Sequence, residues 1–135
     1  MKKAIILLAA GVVWAACDSD FVPEKESILG KWQEKNSENY VEFIDQQNAR
    51  LVYFQGEQTD TMPFTYKFEP DSTPMHFDMV FKEKQLKGLH RFGILEFRSI
   101  DTFVVTSERG FEGSDPNIRP KQIDPKRQAI YFRPQ

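Results

Sequence analysis

Hydrophobic and polar residues alternate along most of the chain after residue 28. Two runs have an apolar side chain at every second position: Phe64, Tyr66 and Phe68 in the first, and Met75, Phe77, Met79 and Phe81 in the second. Successive side chains of a β-strand point to opposite faces of the sheet, so this spacing is typical of strands with one face in a core. The pattern therefore predicts an all-β domain.

Several segments of this kind follow one another, separated by residues that favour turns. We predict strands at 29–36, 40–45, 49–55, 62–69, 75–83, 88–98, 102–108 and 128–134. Most connections are short, and short connections join antiparallel neighbours. An antiparallel meander of this size loses its exposed edges by closing on itself. The predicted fold is thus an eight-stranded antiparallel up-and-down barrel over residues 28–135.

The first sixteen residues have a different character. Two lysines follow the initial methionine, an apolar run occupies residues 4–13, and two alanines precede Cys17. This order is typical of a secretory leader. The apolar run is well short of the roughly 20 residues that a helix needs to span a bilayer. We therefore predict a signal peptide at 1–16 rather than a membrane span.

A cysteine directly after such a leader resembles the lipobox of bacterial lipoproteins, although Trp14 stands where that motif usually has leucine. The resemblance implies acylation of Cys17, a lipidated tether at 17–27, and anchoring in the bacterial cell envelope, in the outer membrane rather than the inner. Asp18 resembles the inner-membrane retention signal of some Gram-negative bacteria, so the leaflet stays open. The alternative is ordinary signal-peptidase cleavage that leaves a free Cys17.

Composition narrows the classes of function. The chain has 18 basic and 20 acidic residues, and removal of the leader takes away two lysines. The remaining acidic excess argues against a nucleic-acid binder, which needs positive charge against phosphates. Aromatic residues make up 13% of the chain, which is enough for a packed core. The single cysteine excludes a disulfide framework and a cysteine-based zinc site.

Short motifs at both ends of the predicted barrel resemble the lipocalin-like barrels. Gly30 and Trp32 form the Gly-x-Trp signature that opens the first strand in that family, and Arg133 occupies the matching place in the last strand. The resemblance implies that Trp32 plugs one end of the barrel and that Arg133 packs across it. Residues 94–97, 101–105 and 119–120 also resemble a family of small secreted lipocalin-like domains whose function is largely uncharacterised.

The sequence gives little support for catalysis or metal binding. His76 and His90 lie on adjacent predicted strands, but the turn between them would place residue 95 or 96 opposite His76. A site built from His76 with Asp78 and Glu96 requires an inward histidine, whereas the alternation directs His76 to solvent. Motifs for a nucleophile elbow or a phosphate loop are absent from the sequence. We expect no enzyme activity, no metal and no cofactor.

The barrel interior and the loop at 110–126 are the two remaining functional candidates. The candidate ligand-lining residues are Phe64, Tyr66, Phe68, Phe77, Met79 and Phe81, although so many aromatic residues favour a filled interior. The loop is expected to guard the open end. The candidate anion or partner site comprises Arg119, Lys121, Lys126 and Arg127.

Two functions follow from these candidates. The favoured one is a membrane-anchored lipocalin-like protein that binds a small apolar or amphipathic ligand without chemistry. The alternative is a packed barrel that presents the 110–126 loop to an envelope protein or a glycan.

Overall fold

The computed structural model describes residues 21–134, which form one closed barrel of eight antiparallel strands in chain order. The strands are β1 (Gly30–Glu34), β2 (Tyr40–Phe43), β3 (Asn48–Gln55), β4 (Gln58–Glu69), β5 (Met75–Phe81), β6 (His90–Ser99), β7 (Thr102–Gly110) and β8 (Ala129–Phe132). Strand β8 closes the barrel by pairing with β1. The predicted eight-stranded antiparallel barrel is confirmed.

The predicted signal peptide at 1–16, Cys17 and the first residues of the tether lie outside the described part of the chain. The rest of the tether ends in a short 3-10 helix at Lys25–Ile28, which leads directly into β1. No helix within residues 21–134 is long and apolar enough to cross a membrane.

The observed strands differ from the predicted ones mainly in β4, which begins at Gln58 instead of residue 62. Residues 58–61 are polar, so their side chains carry no alternation that a sequence pattern could detect. Their backbones nevertheless continue the ladder with β3, because the hairpin turns tightly between Gln55 and Gln58. Gly56 permits this turn with a φ of +64°.

The core consists of the inward side chains of all eight strands together with Ile28 and Leu89. Phe64, Tyr66 and Phe68 of β4 are buried, as are Phe77 and Phe81 of β5. Aromatic rings meet edge to face across the interior, for example Trp32 and Phe103, whose ring centroids are 4.6 Å apart. This geometry suits the ring quadrupoles and fixes the rings in place.

The long connection between β7 and β8, residues 111–128, lies against the outer wall of the barrel, and we call it the strap. Ile94, Val104 and Thr106 alternate with core residues and therefore point outward, yet each is at most 2% exposed. The backbone amide of Asp124 donates to Thr106 Oγ1 at 3.0 Å, which ties the strap to β7. The strap explains why this part of the outer wall is apolar.

Candidate functional site

One end of the barrel is sealed by Trp32, which is fully buried. Its indole Nε1 donates to the carbonyl oxygen of Ile28 at 2.7 Å, so the 3-10 helix is held directly under the ring. The guanidinium of Arg133 lies 4.1 Å from the centre of the ring. Arg133 also donates to the carbonyl oxygens of Leu29 at 3.0 Å and Ser27 at 2.9 Å. These contacts join the residue directly after β8 to the segment that precedes β1.

Gly30 is required by the same arrangement. Its φ is +104°, a backbone conformation that side chains disfavour, and a Cβ at this position would stand 3.2 Å from Arg133 Nη1. The structure thus brings together Gly30, Trp32 and Arg133, the three residues that the Gly-x-Trp resemblance singled out.

A cavity of about 270 Å³ occupies the interior away from Trp32. It is lined by Val41, Phe43, Leu51, Phe64, Phe77, Met79, Phe81, Arg91, Phe103, Val105, Ser107, Arg127, Ala129 and Tyr131. Strands β2 to β8 all contribute to this wall. Most of the lining is apolar, with four polar or charged side chains from β6 to β8 and the end of the strap.

The sequence predicted six lining residues, and four of them line the cavity: Phe64, Phe77, Met79 and Phe81. Tyr66 and Phe68 point inward but lie outside the cavity wall. Tyr66 donates its hydroxyl to the backbone oxygen of Asp45 at 2.6 Å, and burial raises its pKa to about 12. Phe68 packs beside Phe97 towards the Trp32 end, with ring centroids 6.3 Å apart.

The aromatic residues do not fill the interior completely, and small residues on the later strands line the space that remains. Ser107 and Ala129 line the cavity, and Gly93 lies between Ser107 and Phe77 in the ladder. A Cβ on Gly93 would come within 2.8 Å of the backbone oxygen of Phe77, so this position tolerates no larger residue. The count of aromatic residues gave no information on where these small residues fall.

Arg91 is the residue of this site that sequence reasoning missed. It faces the cavity near the start of β6, where it is paired with Met79 of β5. Its Nε donates to Ser107 Oγ at 2.8 Å. The alternation of Gly93, Leu95 and Phe97 could have revealed it, because Arg91 occupies the same face two residues earlier.

Tyr131 is another polar side chain of the wall. Its ring stacks on Phe103 with centroids 5.2 Å apart. Burial, and to a lesser extent the charge of Glu34, raises the pKa of Tyr131 above its usual range. A hydrogen bond with the Glu34 side chain raises the pKa further, so the hydroxyl stays protonated.

The four basic residues of the predicted anion or partner site do not form one patch. Arg119 lies on the outer wall, where it pairs with Asp78 and donates to the backbone oxygen of Gly93 at 2.9 Å. Arg127 pairs with Glu108 at the cavity. Lys121 and Lys126 are exposed on the strap, and neither forms a salt bridge with another described residue.

The loop expected to guard the open end has a different place. No residue of 110–126 lines the cavity, and only Arg127, just after it, does so. The ion pair of Arg119 with Asp78 and the contact of Asp124 with Thr106 hold this segment against the outside of the wall. It braces the barrel rather than covering its mouth.

The histidines are separated by the register of β5 and β6. His76 is opposite Ile94, not residue 95 or 96, and His90 is opposite Val80. His76 Nδ1 lies 3.6 Å from a carboxylate oxygen of Glu69. Within residues 21–134, no group of three histidine, cysteine, aspartate or glutamate side chains is placed to hold a metal ion.

The barrel interior has a sealed end, a mostly apolar wall and two arginines, Arg91 and Arg127, on one side of the cavity. Trp32 closes one end, and the arginine side is formed by β6, β7 and the end of the strap. Comparisons of the chain with protein-family models, with curated proteins and with solved structures find no match.

Proposed function

We propose that this protein is a membrane-anchored, lipocalin-like binding protein that takes a small apolar or amphipathic ligand inside its barrel without chemistry. The observation that carries the proposal is the interior cavity of about 270 Å³. Pockets for small molecules typically measure about 300–1,000 Å³ and have mostly apolar walls with a few polar groups. This cavity is slightly smaller than that range, so the ligand we propose is small.

The apolar lining of the cavity supports a ligand with an apolar part. Rings from Phe43, Phe64, Phe77 and Phe103 surround it, and Trp32 seals the barrel beyond them. Each Å² of apolar surface that a ligand buries there contributes about 25 cal/mol. The driving force is therefore burial of apolar surface, with the polar side chains left to orient the ligand.

The membrane anchor rests on the sequence alone. The leader at 1–16 and the cysteine that follows it support lipidation of Cys17. An acylated tether would keep the barrel within about ten residues of the bilayer surface, where amphipathic ligands are concentrated. The location in a bacterial envelope is part of this proposal.

The alternative function, a scaffold that presents the strap to an envelope protein or a glycan, has one observation in its favour. Phe111 at the beginning of the strap is 65% exposed. The cavity weighs against this alternative, because a pure scaffold gains stability from a filled interior.

The proposal is tested by blocking the cavity and examining what the protein retains. Met79 points into the cavity and its neighbour Val80 points away from it on the same strand, so Met79→Trp and Val80→Trp form a matched pair. The full chains are purified from their own host in mild detergent and measured by native mass spectrometry before and after denaturation. Circular dichroism confirms that both variants keep their strands.

We expect the wild type and Val80→Trp to release a small molecule on denaturation, and Met79→Trp to release none. A wild-type protein with no bound small molecule, or equal retention by both variants, would overturn the proposal. In that case the strap becomes the next candidate, and Phe111→Ser would be tested for loss of binding to envelope fractions.

A further inference from the structure

We propose, as a refinement that rests on the binding function proposed above, that the ligand is a single-chain amphiphile whose anionic head group is bound by Arg91. The apolar chain would lie among the rings of the cavity. The head group would lie on the β6–β7 side, where Ser107 is a second hydrogen-bonding partner.

The first support is the position of Arg91 relative to the sealed end. Strand β6 begins near Arg91 and runs towards the sealed end of the barrel. There Phe97 of β6 packs near Trp32, with ring centroids 6.2 Å apart. Arg91 lies six residues earlier on the same inward face, a distance of about 20 Å along the strand. A chain that enters the cavity with its apolar end towards Trp32 therefore leaves its polar end near Arg91.

The second support is the lack of a compensating carboxylate. Within residues 21–134, no aspartate or glutamate lies within salt-bridge distance of Arg91, whereas Arg119, Arg127 and Arg133 each have one. The one hydrogen bond that Arg91 forms among the described residues uses Nε, towards Ser107. A guanidinium has five N–H groups in a planar fork, so its outer edge can still bind an anion in bidentate fashion.

The third support is a like charge placed directly opposite. Arg91 and Arg109 are cross-strand partners in the β6–β7 ladder. Like charges in this position destabilise a sheet. Burial and the nearby guanidinium of Arg109 lower the pKa of Arg91, which reports the same unfavourable environment for its charge. Glu108 opposes the repulsion, but its carboxylate is bound by Arg127.

These three features together select an anion over a neutral or cationic head group. A bound anion would relieve the repulsion between the two arginines and take the place of the missing carboxylate. Its attraction to Arg91 would be stronger in this partly buried site than in water. A cation would add to the repulsion. A neutral head group would leave the charge of Arg91 uncompensated.

The size of the cavity points to a short chain, and we therefore choose probes with one octyl chain and different head groups. Octanoate and monooctyl phosphate carry an anion, octanol is neutral, and octylamine is cationic. The two anions distinguish a carboxylate from a phosphate ligand. Binding to the full chain in lipid nanodiscs is measured by equilibrium dialysis, with empty nanodiscs as the blank.

For the wild type, we expect at least one anionic probe to bind about tenfold or more tightly than octanol. Arg91→Met should abolish this preference and leave octanol binding unchanged or stronger, because the new side chain is apolar. Arg98→Met is the matched control on the same strand, since Arg98 is half-exposed and pairs with Glu96. This control should retain the preference.

The pattern of binding across the probes distinguishes failure of the head-group inference from failure of the binding function. If octanol and both anions bind equally to the wild type, or if octylamine binds best, the inference about the head group is wrong while the binding function stands. If no probe binds above the blank, both proposals fail. If Arg91→Met keeps octanol binding and also keeps the preference for anions, Arg91 is not the head-group site and the inference is overturned.

Discussion

At the scale of single residues, Arg133 has a role larger than its position near the chain end suggests. It covers the indole of Trp32 and donates two hydrogen bonds to backbone oxygens before β1. A cation over an indole contributes about 0.5–2 kcal/mol, and hydrogen bonds from a charged donor add to this. Arg133 directly follows β8, so these contacts connect the end of the last strand to the segment before β1. The closed end therefore depends on Arg133 more than on an exposed ion pair.

We predict that Arg133→Met lowers the free energy of unfolding by about 2 kcal/mol. The measurement is urea unfolding followed by the fluorescence of Trp32, which reports directly on the ring that Arg133 covers. Arg50→Met is the control, because Arg50 forms a surface pair with Glu42 that is worth at most about 1 kcal/mol. Equal losses in the two variants would contradict this account of the sealed end.

A second residue-scale prediction concerns Asp60. Hydrogen bonds from Lys84, Tyr53 and the amide of Thr61, in that order, lower the pKa of Asp60 to about 2. A folded-state pKa below the ordinary value stabilises the protein at pH values above the ordinary pKa. This contribution disappears as the pH falls through the folded-state value.

The advantage of the wild type over Asp60→Asn should therefore be constant above about pH 5 and shrink steadily towards about pH 2. Thermal unfolding over this range measures it. Asp71→Asn in the β4–β5 turn is the control, because it lacks the contact with Lys84. A difference between wild type and Asp60→Asn that does not change with pH would show that this cluster does not act on stability.

At the scale of elements, the strap is the feature that distinguishes this barrel from a bare meander. The ion pair of Arg119 with Asp78 fastens it, since both side chains are largely shielded from solvent, at 13% and 26% exposed. Thr106 adds a hydrogen bond further along. The strap thus acts as an outer layer over β5, β6 and β7.

We predict that Arg119→Met loosens the strap without opening the barrel. Amide hydrogens that the strap protects, such as those of Arg119 and Asp124, should exchange at least about tenfold faster, while those of β6 and β7 keep their protection. Hydrogen exchange with mass spectrometry measures this. Arg98→Met is again the control, because its pair with Glu96 is solvent-exposed. Unchanged exchange in the strap would show that other contacts hold it.

The same scale shows what the sequence could predict and what it could not. Alternation is a local property, so it located all eight strands, and the short turns then determined their antiparallel order. The strap was predicted as an irregular loop, but its place on the outer wall depends on a contact between Arg119 and Asp78, which are 41 residues apart. Contacts of this kind leave no periodic signal.

The sequence left a filled and a hollow interior both open for a related reason. Whether a barrel is filled depends on how side chains from seven strands combine at one level of the interior, which no single strand reveals. Ser107 and Ala129 leave the space, and Arg91 gives it a charge. None of these residues is unusual in its own strand. Only the pairing register of the strands shows that they meet at one cavity.

At the scale of the whole molecule, the proposed lipid anchor can be removed by one substitution that leaves the barrel intact. Cys17→Ala should move the protein from the membrane fraction to the soluble fraction, because a barrel without acyl chains has no anchor of this kind. Cell fractionation measures it, and Arg50→Met serves as a control that leaves the leader intact. A Cys17→Ala protein that stays with the membranes would contradict lipidation at this position.

The last prediction links the ligand to the stability of the entire barrel. Arg91 costs the empty protein stability, because its charge is half-buried, faces Arg109 and lacks a carboxylate partner among the described residues. The empty Arg91→Met protein should therefore be at least as stable as the empty wild type. A ligand that binds only the folded state adds about 2.7 kcal/mol at about one hundred times its Kd.

For a barrel of this size, that gain corresponds to a rise in Tm of roughly 10 °C. Octanoate should produce such a rise in the wild type and in Arg98→Met. In Arg91→Met the rise at the same concentration should be about half as large or smaller, because tenfold weaker binding leaves about 1.4 kcal/mol of stabilisation. Thermal unfolding of the full chains, followed through the fluorescence of Trp32, measures all three. If Arg91→Met is less stable when empty and gains as much from octanoate as the wild type, Arg91 is a structural residue. Its charge would then serve the fold and not the ligand.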